Sequence, residues 1–119
     1  MGDLFTLPEV PLNLPVVTGI EAIADSVRED LMYSLSEFAE TLRTQSPLFW
    51  GKVSEVHVMS PVSVTVYLSG TGLELRMRLD RADIQAQNFE AYIVTRANQE
   101  IQLAYIDLRF EDQVVLGKQ

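Results

Sequence analysis

The sequence predicts an α+β domain in which a mostly antiparallel sheet carries two helices packed on one face. Three observations predict this class. Two segments of alternating apolar and polar residues flank a Gly-rich turn at 69–72, the pattern of a β-hairpin. Two longer segments repeat apolar residues every three to four positions, as amphipathic helices do. The element order is a possible strand, a helix, three strands, a second helix and two strands, in which the helices would cover one face of the sheet.

The composition is that of an acidic globular domain. The 119 residues suffice for one hydrophobic core, so 1–119 are expected to form a single domain. A net charge of −8 disfavours nucleic acid and anionic membrane surfaces as partners. The absence of cysteine excludes disulfides and thiolate chemistry. No run approaches the roughly 20 apolar residues that span a bilayer.

The beginning of the chain predicts an extended entry into a helix. Residues 3–7 alternate weakly and could form a short strand. Prolines make 12–17 an extended connector, whose apolar side chains are expected to lie across the core. Thr18 and Glu21 have the spacing of a capping box that begins the first helix. If the helix breaks near residue 25, Ser26 and the glutamate three residues later make a second capping box.

The first helix is predicted to pack against the core along one stripe and to end at Ser46–Pro47. The stripe consists of Ile20, Ile23, Val27, Leu31, Leu35, Phe38 and Leu42.

Three strands and a second helix are predicted next. In 53–59 the alternation is irregular, and Val53 is expected to face away from Val56 and Val58. The strands on either side of the 69–72 turn place four apolar residues each on the inner face. Asp80 is expected to cap the second helix. The apolar residues of the hairpin are Val62, Val64, Val66, Leu68, Leu73, Leu75, Met77 and Leu79, and those of the helix are Ile84, Ala86, Phe89, Tyr92, Ile93 and Ala97.

The last strands form the candidate site. Residues 104–109 alternate, which places Asp107 and Arg109 on one face as a surface ion pair. The final strand has no successor in this sequence, so its outer edge is open unless an earlier segment pairs with it. An open edge invites a strand from another protein. The alternative is that this hairpin only completes a closed core.

The sequence predicts no catalytic, cofactor-binding or metal site. His57 is the only histidine, and it has no carboxylate cluster at metal-ligand spacing. Gly70–Gly72 lies between two strands and not before a helix, so it is a turn and not a phosphate loop. Acidic residues in the first helix are expected to form a solvated face. A site built from carboxylates alone stays open as an alternative.

The chain contains, in order, Leu-Pro-Val-Val-Thr-Gly at 14–19, an amphipathic helix, a strand meander, a second helix and Tyr-Ile-Asp-Leu-Arg-Phe at 105–110. This ordered set of segments resembles the C-terminal β domain of the bacterial division proteins FtsQ and DivIB. The resemblance implies a non-enzymatic scaffold domain without cofactors. It also implies a membrane-anchored parent protein whose transmembrane helix and POTRA domain are absent from this chain.

The resemblance also implies partners and a binding surface. Family members bind FtsB/DivIC and FtsL outside the cytoplasmic membrane, at the division septum, and help to regulate septal peptidoglycan synthesis. The partner adds a strand beside the last strand of the β domain. Phe110 stands where the family often has tyrosine, so a hydroxyl contact there would be lost. The implied partner-binding residues are Arg109, Phe110, Val114, Val115, Leu116 and Gly117.

Two other readings stay open at this stage. A POTRA-like envelope assembly module has similar secondary-structure content, although its element order fits less well. A small carboxylate-based enzyme or ligand-binding domain predicts a deep pocket lined by at least two converging acids.

Overall fold

A computed structural model describes residues 15–71, 73–95, 103–109 and 114–118. The described elements, in chain order, are β1 (Val16–Thr18), a 3₁₀ helix (Ile20–Ala22), α1 (Asp25–Gln45), α2 (Pro47–Trp50), β2 (Val53–Ser60), β3 (Ser63–Leu68), β4 (Glu74–Arg78), α3 (Ala82–Thr95), β5 (Leu103–Asp107) and β6 (Val115–Lys118).

The six described strands form one sheet in the order β1-β2-β3-β4-β5-β6. β2–β3, β3–β4 and β5–β6 pair antiparallel, whereas β1–β2 and β4–β5 pair parallel. Each parallel pair is separated in sequence by helix, as a crossover connection requires. The predicted α+β class and mostly antiparallel sheet are confirmed, and α2 is a short additional helix.

The hydrophobic core lies between the helices and one face of the sheet. The stripe predicted for the first helix faces the core: Ile20 and Val27 are partly buried and its other residues are buried, although Ile20 and Ile23 precede α1. The rings of Phe49 in α2 and Phe89 in α3 meet edge to face, with centroids 5.6 Å apart. On the sheet side, Val56, Val66 and Leu75 are neighbours across three strands and are at most 2% exposed. We call the opposite side of the sheet the open face.

β2 contains a bulge, so its residues do not alternate between the two faces as expected. Val53 was predicted to face away from Val56 and Val58, but all three are buried. The pairing of β2 with β3 shifts register between Val53 and Glu55. One extra residue in a strand reverses the alternation on one side of it, so both ends of β2 can face the core.

The predicted start of the first helix was wrong. The 3₁₀ turn precedes α1, whose N-cap is Ala24 with no side-chain cap, so neither capping box forms. The break near residue 25, which the sequence left open, is present, because α1 begins at Asp25 after the 3₁₀ turn. The chain turns at Gly19 with φ of +87°, where a Cβ would lie 2.5 Å from the carbonyl oxygen of Val58.

Two further expectations changed at the ends of elements. Val16 and Val17 lie in β1, the first of the described strands in the sheet order, and are 60% and 44% exposed, so they do not lie across the core. Asp80 does not cap α3, because its carboxylate accepts hydrogen bonds from the Arg78 guanidinium at 2.8 and 2.9 Å. The short strand predicted at 3–7 lies outside the described residues.

The link from β4 to α3 is organised by a buried amide. Gln85 is 4% exposed, and its Oε1 accepts a hydrogen bond from the backbone N–H of Arg78 at 2.7 Å. Its Nε2 lies 2.9–3.0 Å from the carbonyl oxygens of Arg78, Asp80 and Arg81. These contacts give side-chain partners to the backbone groups of Arg78 and Asp80 at the turn, and they add to the hydrogen bond that the Arg81 carbonyl accepts from the Gln85 backbone N–H at 3.2 Å. Among them, Arg81 has a φ of +59°, which is unusual outside glycine.

Gln85→Ala is expected to lower the free energy of unfolding by roughly 2–3 kcal/mol, because it removes the hydrogen bonds that a buried amide makes to four backbone groups. Gln87→Ala is the matched control, since Gln87 lies in the same helix but is exposed. Urea unfolding followed by circular dichroism measures both. Equal stability of the two variants would contradict the role given to the Gln85 amide.

Candidate partner-binding edge

Among the strands that the structure describes, β6 lies at one edge of the sheet. Among the described residues its only neighbour is β5, with which Tyr105, Ile106 and Asp107 pair against Gly117, Leu116 and Val115. The other side of β6 carries no strand from the described part of the chain. Its outward backbone groups are therefore placed to pair with a strand from elsewhere.

The pairing of β4 with β5 determines which backbone groups of β6 point outward. The N–H of Leu108 donates to the carbonyl oxygen of Arg76 at 2.8 Å, so Leu108 turns its backbone toward β4. Backbone direction alternates along a strand, so Ile106 also faces β4, whereas Tyr105 and Asp107 face β6.

The direction of the β6 backbone follows from this alternation. The pairs Tyr105–Gly117 and Asp107–Val115 are then the hydrogen-bonded pairs of this antiparallel ladder. Leu116 lies between them, so its N–H and C=O point away from the sheet. Leu116 is thus a residue of β6 at which a visiting strand would form backbone hydrogen bonds.

The side chains of β6 alternate between the two faces of the sheet. Leu116 pairs with buried Ile106 and packs against the core, as does Val114. Val115 lies on the open face opposite Asp107. Val114, Val115 and Leu116 are each partly buried, whereas Gly117 is buried. A strand added at this edge would therefore contact apolar side chains on both faces.

Asp107 and Arg109 form an ion pair with two side-chain contacts. Nε and one terminal nitrogen of Arg109 lie 2.9 and 2.6 Å from the two carboxylate oxygens, and the Arg109 backbone N–H donates to Oδ1 at 3.1 Å. The predicted pair is present, but it was expected on the surface, whereas Asp107 is 4% exposed. Arg109 itself is exposed. The buried carboxylate fixes how the exposed guanidinium is presented.

The electrostatics of this pair favour the charged forms. Burial raises the pKa of Asp107, but hydrogen bonds from the Arg109 side chain and backbone outweigh burial and hold the pKa below its ordinary value of 3.8. The hydrogen bond to Asp107 raises the pKa of Arg109 against the opposing effect of burial.

A ring on the open face covers the end of β6. A Cβ added to Gly117 would overlap Cε2, Cδ2 and Cζ of the Tyr105 ring, so the ring occupies the space that a side chain there would need. The Arg76 guanidinium carbon lies 3.5 Å from the centroid of the same ring, a cation–π contact. Sequence reasoning missed this arrangement, although glycine inside a strand often signals a close approach.

The open face also carries a shallow concavity of about 220 Å³ next to Arg109. Its lining consists of Met59, Ser63, Val64, Thr65, Glu74, Arg76 and Arg109. A second concavity is lined by Arg78 and Asp80 among others, and a third contains no acid. Each of these three has at most one carboxylate, so none is the acid-lined pocket that a carboxylate enzyme would need.

His57 lies at the other end of the sheet and is bound locally. The Thr18 hydroxyl donates to Oε2 of Glu55 at 2.7 Å and lies 2.7 Å from Nδ1 of His57. Since the hydroxyl hydrogen goes to the carboxylate, Nδ1 of His57 is the donor to Thr18. This arrangement attaches β1 to β2 and does not make the imidazole a base for the hydroxyl. The described residues contain no group of three or more His, Asp or Glu side chains that could hold a metal ion.

The implied site residues are brought together only in part. Val114, Val115, Leu116 and Gly117 lie in or next to the edge strand, and Arg109 follows its partner strand. Phe110 lies outside the described residues. None of the helices in the described ranges is long and apolar enough to cross a membrane.

Asp107→Asn is expected to lower the free energy of unfolding at neutral pH by roughly 1–2 kcal/mol, because it weakens a buried, charge-assisted contact whose partner is partly exposed. The lowered pKa of Asp107 also determines the direction in which stability changes with pH. The contribution of Asp107 is fully present above its unfolded pKa and is lost as pH falls through the folded pKa. Wild-type stability should therefore fall more steeply than that of Asp107→Asn below about pH 4.

Asp80→Asn is the control for this measurement. Asp80 also pairs with an arginine and also has a lowered pKa, but its side chain is 55% exposed. Denaturant unfolding between pH 2 and 7 should show the smaller change for Asp80→Asn. Parallel stability profiles of wild type and Asp107→Asn below pH 4 would count against the Asp107 contact.

The sequence of this chain was compared with models of known protein families. The family described as "Cell division protein FtsQ/DivIB, C-terminal" matches residues 1–109, so the match includes β1 to β5 and stops before β6. No curated protein matches the chain. Because the match covers well over half of the sequence, the chain belongs to the FtsQ/DivIB C-terminal family of cell division proteins.

Proposed function

We propose that this chain is a non-enzymatic interaction domain of the bacterial division machinery, and that it captures a protein partner by strand addition along β6. Family membership supports the cell-division role. The observation that carries the mechanism is the edge position of β6, with the Leu116 backbone directed away from the sheet. Strand addition needs such a row of unpaired backbone groups.

The proposed partners are FtsB/DivIC and FtsL. The domain acts on the extracytoplasmic side of the membrane at the septum, carried there by a membrane-anchored parent protein. By holding these partners it helps to regulate septal peptidoglycan synthesis. Residues 1–119 act as one domain in this proposal.

Affinity and specificity have different sources at this edge. Backbone hydrogen bonds at Leu116 contribute affinity without reading the partner's sequence, each worth a net of about 0.5–1.5 kcal/mol. Val115 on one face and Leu116 on the other offer apolar surface to alternate side chains of the partner. Arg109, fixed by Asp107, presents a charged donor at the concavity on the open face, which residues of β2, β3 and β4 also line.

The two other readings receive less support. The family match favours the FtsQ/DivIB assignment over a POTRA-like module. The three concavities found among the described residues have at most one carboxylate each, so they offer no converging acids for the enzyme alternative.

Leu116→Pro is expected to weaken binding of an FtsB/DivIC peptide at least tenfold, because it removes the outward N–H and places a proline ring at the edge. Leu116→Ala is the matched control: it loses the same side chain but keeps the N–H. It should bind more tightly than Leu116→Pro. Isothermal titration calorimetry with the full chain measures both.

Val115→Pro is a second proline variant for comparison, because the N–H of Val115 points toward β5 and not outward. It is expected to destabilise the attachment of β6 itself, because it removes a hydrogen bond to β5, and so to lower the melting temperature more than Leu116→Pro does. If Leu116→Pro bound the peptide as tightly as Leu116→Ala did, while both remained folded, the strand-addition mechanism would be wrong.

A further inference from the structure

Position 117 needs a glycine because a side chain would not fit there, and not because of its backbone conformation. Among the described glycines, only Gly19 and Gly70 have positive φ, so the backbone at Gly117 could carry any L residue. The obstacle is the Tyr105 ring, which fills the place of a Cβ on the open face. On β6, the surface at Gly117 is thus formed by a side chain from the neighbouring strand.

The ring is held in that place from the β4 side. Arg76 stacks its guanidinium on the ring at 3.5 Å, and Tyr105 pairs directly with Gly117 across the ladder. Tyr105 is only partly buried, so part of it stays accessible. A ring contacted by an arginine on one side and by a glycine backbone on another has few alternative rotamers.

This placement determines what a visiting strand meets. The backbone of Gly117 is turned toward β5, so a visiting residue opposite Gly117 forms no backbone hydrogen bond with it. In an antiparallel ladder such pairs bring side chains closest, with Cα atoms about 4.5 Å apart. On the open face, the visiting side chain would therefore contact the Tyr105 ring.

We propose that Tyr105, lying across Gly117 and held by Arg76, determines partner specificity at this edge by requiring an apolar or aromatic side chain opposite Gly117. An apolar group gains contact with the ring, and aromatic pairs gain more than their buried area alone would give. A lysine would lose hydration there and approach the Arg76 charge. This inference rests on the strand-addition mechanism and adds the position that discriminates between partner sequences.

The test uses a peptide from the FtsB/DivIC homologue of the same organism, in which each strand position is changed in turn to Phe, Leu, Ala, Glu and Lys. Binding to the full chain is measured by fluorescence anisotropy. One position should prefer Phe and Leu over Lys by roughly 3- to 10-fold. In Tyr105→Ala this preference should disappear at that position and persist elsewhere, whereas Tyr105→Phe should retain it.

Two controls separate specificity from general destabilisation. Tyr67 is also partly buried on the open face, three strands away from β6, so Tyr67→Ala should leave the preference unchanged. Gly117→Ala displaces the ring and should weaken both folding and selectivity. Combined with Tyr105→Ala, the same Gly117→Ala change should be tolerated, because the added methyl group then has room.

The outcomes distinguish the two proposals. Binding whose preference is the same in wild type and Tyr105→Ala would overturn the specificity role of Tyr105 and leave strand addition intact. Failure of the folded wild-type chain to bind the unmodified peptide would overturn strand addition and this inference together.

Discussion

The parallel pairing of β4 with β5 is the constraint on which the C-terminal edge depends. α3 connects these two strands as a crossover, and the Leu108 N–H bonded to the Arg76 carbonyl sets their register. This register turns Tyr105 and Asp107 toward β6 and leaves the Leu116 backbone facing outward. A shift of one residue would exchange the inner and outer groups of β6 and would move every side chain to the other face.

Two groups on the open face connect this register to the proposed site. The Asp107 carboxylate is buried, so water cannot easily solvate it if Arg109 moves away. Opening the ion pair therefore costs free energy, and the two side chains stay together. Arg76 stacks on Tyr105, and Tyr105 covers Gly117. The edge strand is therefore held from one side by main-chain hydrogen bonds and on the open face by a ring. Such a prepared edge lowers the ordering cost that a partner strand has to overcome.

The sequence was most informative where periodicity is long. The α1 stripe from Ile23 to Leu42 and the strands on either side of the 69–72 turn were predicted because many residues repeat one pattern. Predictions from one or two residues failed where the side chain found a different hydrogen-bond partner. Thr18 bonds to Glu55 and His57 and does not cap a helix, and Asp80 bonds to Arg78. Both residues have nearby partners that a one-dimensional pattern cannot reveal.

The sequence could predict the candidate site only conditionally: the last strand can bind a partner if no other strand of the chain covers its outer edge. Alternation placed a strand at the end of the chain, but its position in the sheet depends on pairings between β4, β5 and β6 that are distant in sequence. The burial of Asp107 and the closeness of Tyr105 to Gly117 depend on the same pairings. An Asp-x-Arg spacing predicts an ion pair, but it does not indicate how much water reaches the carboxylate.

Amide hydrogen exchange of β6, resolved by NMR for each residue, tests the openness of this edge most directly. In the free chain, the account predicts slow exchange at Val115 and Gly117, whose amides bond to β5, and fast exchange at Leu116. Addition of an FtsB/DivIC peptide should slow exchange at Leu116 and leave the alternation on β5 unchanged. A Leu116 amide that is already protected in the free, monomeric chain, or that stays unprotected when the peptide is bound, would contradict it.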